Sequence, residues 1–121
     1  MKIHESGENY LETILILSKK NGSVRSIDIA NELEYTKPSV SRAMGILKEA
    51  NMIKVEKNGS IILTKEGMER AEKIYARHET ITKFLVDVLN VSLDTAEKDA
   101  CRIEHIISEE TLQKIKEKLN R

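Results

Sequence analysis

Cysteine, proline and glycine are all scarce in this chain of 121 residues. The single Cys, Cys101, excludes an intrachain disulfide and removes the usual mark of secretion. One Pro and five Gly leave room for long helices. Long apolar runs are missing too. The longest, Ile14-Leu15-Ile16-Leu17, falls far short of the roughly 20 residues that span a bilayer. The polar, acidic stretch from Met1 to Tyr10 is not a signal peptide. Net charge is absent as well: 20 Lys and Arg balance 20 Asp and Glu. That balance excludes a globally basic, histone-like grip on nucleic acid but leaves room for a local basic patch. What is present is 40% hydrophobic and 33% charged residues in periodic order. This predicts a folded, helix-rich cytoplasmic protein of one domain or two small lobes, with no membrane partner.

The periodicity orders the chain. Ser6 is placed to cap a first helix carrying Tyr10, Leu11, Ile14, Leu15 and Leu17, which ends before Asn21-Gly22. Ser26 is placed to cap a short second helix, with Asp28 near its positive end and Ile27, Ala30 and Leu33 turned inward. Glu34-Tyr35-Thr36 makes a tight connection. Thr36 then caps a third helix, with Pro38 in its first turn and Val40, Ala43, Met44 and Leu47 as one buried stripe. After Ala50 the period changes. Met52–Glu56 and Ser60–Thr64 flank Lys57-Asn58-Gly59, a hairpin signal. A long helix follows from Lys65 to about Leu89, striped by Met68, Ala71, Ile74, Tyr75, His78, Ile81, Leu85 and Val88. Ser92 opens a further helix reaching about Ile107. Ser108 opens the last, with Leu112, Ile115 and Leu119 as its apolar face.

Helix, short helix, tight turn, helix and hairpin form the order of a winged helix-turn-helix, whose third helix projects toward a major groove. The expected fold is therefore mainly α with a small β-hairpin wing. Residues 1–64 are the expected DNA-binding domain, and residues 65–121 a connecting helix with a helical metal-binding and dimerisation region. With the stripe inward, Ser39, Ser41, Arg42 and Gly45 face outward. Arg42 suits bidentate reading of guanine, and the serines suit base edges or phosphate. Ser39 and Lys37 lie by the anion-attracting helix N-terminus. Arg25, Ser26, Thr36 and Pro38 frame the same surface, and Lys57 and Asn58 at the hairpin tip suit the DNA backbone. From Leu15 to Lys65 nine bases face five acids. A basic stripe on a neutral chain fits a salt-sensitive binder of double-stranded DNA. The same charges also fit a solvated surface on a protein-interaction module.

A second constellation lies further on. On a helix, Glu97, Cys101, Glu104 and His105 fall within an arc of roughly 100°, bringing two carboxylates, a thiolate and an imidazole to one face. Spacing alone also fits an ordinary polar helix face with one buried Cys. His78 interrupts the apolar stripe of the long helix between Ile74 and Ile81, so its ring points at the core or a packed neighbour. A site between helices accounts for both observations. Glu12 and Asn9, three apart on the first helix, are placed to close it. His4 near the start is a weaker candidate.

Asp99-Ala100-Cys101-Arg102-Ile103-Glu104-His105, with Ile106-Ile107-Ser108, resembles the metal-site signature of the diphtheria toxin repressor family of metal-dependent transcriptional regulators. Ser6–Ile14 is similar to the start of that family's first helix. Ile29-Ala30, Lys37–Ser41 and Leu63–Gly67 resemble its helix-turn-helix and the end of its wing, and Tyr75–His78 resembles its histidine-bearing connecting helix. The resemblance implies a homodimer that binds operator DNA and dimerises through helices from about Ser92. It implies metal ligands at His78, Cys101, Glu104 and His105. Iron-type members have Cys at the position of Cys101, and manganese-type members a carboxylate. Glu12 matches a ligand of the manganese type. Asn9 stands where one branch has Met and the other Asp. Glu97 and Thr82 stand where the iron branch has an ancillary His and Glu. The end at Arg121 implies a short form without the SH3-like domain.

The expected function is a non-enzymatic, metal-dependent repressor of metal-homeostasis genes, active as a homodimer. Its cofactor is a divalent transition metal ion: the thiolate favours Fe²⁺, and the oxygen ligands make Mn²⁺ the second choice. No small-molecule substrate is expected. A metal-independent winged-helix regulator and a winged-helix interaction module are the alternatives.

Overall fold

A computed structural model describes residues 5–120; His4 lies outside them. The chain is mainly helical with one two-stranded antiparallel hairpin. The order is α1 (Glu5–Asn21), α2 (Ser26–Leu33), α3 (Lys37–Glu49), β1 (Ile53–Val55), β2 (Ile61–Leu63), α4 (Lys65–Asp87), α5 (Leu93–Ile103) and α6 (Glu109–Leu119). Two compact units divide inside α4, the first running to Glu72 and the second starting at Lys73. The expected boundary lies earlier, where α4 begins.

In the first unit, α1 packs on α2, α3 and β2, burying Leu11, Ile14 and Leu15 with Ile29, Val40 and Leu47. Ser6 falls inside α1 rather than ahead of it. Gly22, with φ 83°, ends that helix in a left-handed conformation that favours glycine. Helix α2 starts one residue earlier than a Ser26 cap requires. Asp28 Oδ2 accepts from Arg25 N at 2.9 Å, so Arg25 is the N-cap and Ser26 the first helical residue. Ile27, expected inward, is exposed, and Ile29 takes the buried place beside Ala30. Thr36 caps α3 as expected, its Oγ1 accepting from Ser39 N at 3.3 Å.

The hairpin pairs Ile53 with Leu63, Lys54 with Ile62 and Val55 with Ile61. Ile61 N also donates to Val24 O at 2.7 Å, which fastens the segment before α2 to the wing. Thr64 joins wing to helix: its Oγ1 donates to Asn51 O at 2.7 Å and accepts from Gly67 N at 3.0 Å. Gly67 has no spare space, because a Cβ there would collide with the Met52 carbonyl. Arg70 Nε donates to Glu8 Oε2 at 3.0 Å, tying the first turns of α4 to α1.

The second unit has a smaller apolar cluster: Ile81, Ala100 and Leu112 are buried, with Leu85, Ile103 and Ile107 packed against them. Ser92 and Ser108 cap α5 and α6, accepting from Thr95 N at 3.4 Å and Thr111 N at 3.1 Å. Helix α5 ends at Ile103, short of the expected Ile107. Ser108 must be extended, with ψ 157°, to cap α6, so the chain leaves helical geometry before it. Met68 and Val88, both expected in the α4 stripe, are exposed. Among the described residues, no helix is long and apolar enough to cross a membrane.

Candidate metal centre and nucleic-acid interface

Helix α3 presents its polar side outward. Lys37, Pro38, Ser39, Ser41, Arg42 and Gly45 are all exposed, while Val40, Met44 and Leu47 hold the opposite side in the core. Space around Gly45 is open. The N-terminal end of α3 is organised by Thr36, whose hydroxyl donates to Ser39 Oγ at 2.9 Å. Beside it, Tyr35 meets Tyr10 edge to face, with ring centroids 5.9 Å apart. Burial, and secondarily Tyr35, push the Tyr10 phenol above its ordinary pKa. Arg25 and Ser26 are exposed at the start of α2, and Lys57 and Asn58 at the hairpin tip. Asn58 Oδ1 accepts from Ser60 N at 3.0 Å, holding the tip in shape. Ile46, 54% exposed on α3, was not singled out in the sequence. Its apolar character reads as core until the helix orientation is known.

In the second unit, Glu104 caps the C-terminal end of α5, and its side chain is 0% exposed. Two histidines flank the carboxylate. His78 Nδ1 on α4 lies 2.9 Å from Oε2, and His105 Nε2 lies 3.3 Å from Oε1. The His78 side chain is 23% exposed and that of His105 only 2%. A neutral His78 that donates from Nδ1 to Glu104 carries its lone pair on Nε2. That is the tautomer a metal-binding imidazole adopts when its other nitrogen is held by a carboxylate. Cys101, half-buried in the last turn of α5, precedes Glu104 by one helical turn. Glu104 Oε1 is buried and accepts no hydrogen bond among the described residues. A buried carboxylate oxygen without a donor is costly, and a cation relieves that cost. The donor set of thiolate, carboxylate and imidazole fits a divalent transition metal ion.

The remaining candidates differ in burial. Glu97 is exposed on α5, Thr82 is half-buried on α4 with an unpartnered Oγ1, and in the first unit Glu12 is buried on α1 with Asn9 half-buried one turn before it.

Two family profiles cover nearly the whole chain. Residues 2–61 match "Iron dependent repressor, N-terminal DNA binding domain", and residues 64–121 match "Iron dependent repressor, metal binding and dimerisation domain". The chain belongs to the iron-dependent repressor family. Members of this family are metal-dependent transcriptional regulators rather than enzymes. The uncharacterized HTH-type transcriptional regulator MJ0568 of Methanocaldococcus jannaschii is 34% identical over 113 residues, 93% of this chain and 90% of that protein. The transcriptional regulator MntR of Escherichia coli is 34% identical over 105 residues, 87% of this chain and 67% of that one. Among solved structures, IdeR of T. acidophilum superposes with a TM-score of 0.85 at 25% identity, over 94% of this chain and 54% of its own. The manganese regulator SloR superposes with a TM-score of 0.84 at 28% identity, over 99% of this chain and 55% of its own. The chain thus spans about half the length of these solved repressors.

One contact beside His78 has no counterpart in the sequence reading. Arg77 lies next to His78 and reaches Glu104 O with Nη1 at 3.2 Å. The contact spans a long stretch of sequence, and nothing local signals it.

Proposed function

We propose that this iron-dependent repressor family member represses transcription as a cytoplasmic homodimer, binding double-stranded operator DNA when loaded with a divalent transition metal ion. It would thereby control metal-homeostasis genes. The observation that carries the reading is Glu104: a fully buried carboxylate between two imidazoles, with one oxygen lacking a donor. The proposed ligands are His78, Cys101, Glu104 and His105. Glu12 and Asn9, one turn apart on α1, are further candidates that the resemblance implies. Glu97, solvated on α5, is left out. A bound cation would supply the positive charge that this buried donor set lacks. The Cys101 thiolate favours Fe²⁺, with Mn²⁺ second.

The chain's own groups would do the rest. His78 holds the Glu104 carboxylate through Nδ1. The exposed face of α3 offers Arg42 to base edges, with Ser39, Ser41 and Lys37 directed to bases or phosphates. The hairpin tip offers Lys57 and Asn58 to the backbone. Ligation of a metal ion would favour one posture of the dimer on its operator. Metal and DNA affinities would then be reciprocally coupled, by about 1–3 kcal/mol.

The test is operator binding titrated with Mn²⁺, Fe²⁺, Co²⁺ and Zn²⁺, and repeated with chelator. Chelation is expected to weaken binding at least about tenfold, or about 1.4 kcal/mol. Gel shifts indifferent to chelator would instead identify a metal-independent regulator, and indifference to DNA an interaction module.

A further inference from the structure

We infer that Arg77 is a positioning residue for the metal centre, a proposal that rests on the metal-binding reading above. Its side chain is only 14% exposed, although an arginine on an amphipathic helix ordinarily extends to water. The guanidinium is used as a fork. Nη1 donates to the main-chain carbonyl of Glu104 at 3.2 Å, and Nη2 to the Glu109 carboxylate. Glu104 O lies at the end of α5, where carbonyls lack helical partners and a cation is favoured by the helix dipole. Glu109 is in the first turn of α6. One side chain from α4 therefore clamps both ends of the turn that carries Glu104 and His105.

Consecutive residues of α4 thus hold Glu104 twice: Arg77 by its backbone and His78 by its carboxylate. Fixing the backbone sets where the carboxylate and the adjacent imidazole stand before an ion arrives. A planar, always-charged group with fixed donor directions suits this task, and lysine does not reproduce it. The Nε of Arg77 is buried without an acceptor among the described residues, so the rotamer satisfies the two clamped oxygens and not the arginine itself. Lys73 lies 3.9 Å from the same Glu109 oxygen, but it makes no contact with Glu104 among those described.

The experiment titrates Co²⁺ into the full-length chain and follows the thiolate-to-cobalt absorption of Cys101, with far-ultraviolet circular dichroism of the metal-free protein as the folding control. Arg77→Met is expected to weaken Co²⁺ binding by about tenfold, as supporting residues around a metal do, and to shift the cobalt spectrum while the metal-free fold is unchanged. Arg77→Lys is expected to restore only part of the affinity, because charge returns without the fork. Wild-type affinity and spectrum in folded Arg77→Met would overturn the proposal. Should that variant not fold, Glu109→Gln decides. Glu109 is 71% exposed, and losing its charge is expected to weaken binding about threefold; no change would overturn the clamp. A wild-type chain that is silent to Co²⁺ would instead sink the metal reading, a different result from variants that match a responsive wild type.

Discussion

In the first unit, the side chains sealed most completely are hydrocarbon: Leu11, Ile14, Val24, Ile29 and Val40 are fully buried, and Glu12 is the one buried charge among its described residues. In the second, the sealed cluster of Ile81, Ala100 and Leu112 is small, and a carboxylate, Glu104, is buried as deeply as any of them. Both units also leave large apolar side chains exposed: Ile27, Ile46 and Met68 in the first, Val88, Leu89, Leu93 and Ile106 in the second. Burial of hydrocarbon is indifferent to ions, whereas a buried carboxylate calls for positive charge. On the proposed reading, the first unit, in which Glu12 is the exception to a hydrocarbon core, would carry the DNA-binding surface, and the second would carry His78, Cys101, Glu104 and His105. The family's division into a DNA-binding part and a metal-binding and dimerising part follows the same line.

The contrast can be broken most severely at Leu11. Leu11→Ala should remove about 2–5 kcal/mol of stability, by the same amount with or without Co²⁺, as read by urea unfolding. A loss that Co²⁺ rescued would show that the first unit also depends on metal. Next in size, Glu104→Gln should weaken Co²⁺ binding about 10–100-fold while leaving the metal-free chain as resistant to urea as before. A variant that unfolds without metal would make Glu104 a structural residue.

These two sites also differ in how far the sequence announced them. Leu11 belongs to a periodic stripe, and the caps Thr36, Ser92 and Ser108 each sit where a hydroxyl precedes a helix; such signals are local, and the structure follows them. The errors arise where neighbours compete. Asp28 reaches back to Arg25 N and takes the capping role from Ser26. In the short helix α2 only a narrow stripe is covered, so Ile29 displaces Ile27. Between α5 and α6, the extended Ser108 ends helical geometry early. The closeness of His78 and His105 to Glu104 had a trace in the sequence, in the spacing of Cys101, Glu104 and His105 and in His78 as the odd residue in an apolar stripe. The clamp by Arg77 had none, because a long-range hydrogen bond leaves no periodic trace.

Two smaller tests sharpen the division. Arg42→Ala should cost about 1–3 kcal/mol of operator binding and relax preference at one base position. Its Co²⁺ affinity without DNA should be unchanged, and a shift would place Arg42 in the metal response. Thr36→Ala should cost about 1 kcal/mol, seen as faster hydrogen exchange at the start of α3 with α5 and α6 unaltered. Equal effects in both units would mean that the chain unfolds as one cooperative block.

Gly67 carries a consequence for descent. The Met52 carbonyl stands where a side chain at 67 would begin, so a bare hydrogen is the only substituent that lets α4 start against the wing. Lineages diverging from this chain are free to redraw the outward face of α3 for new operators, but a lineage that loses glycine at 67 must reshape the seat of the wing itself.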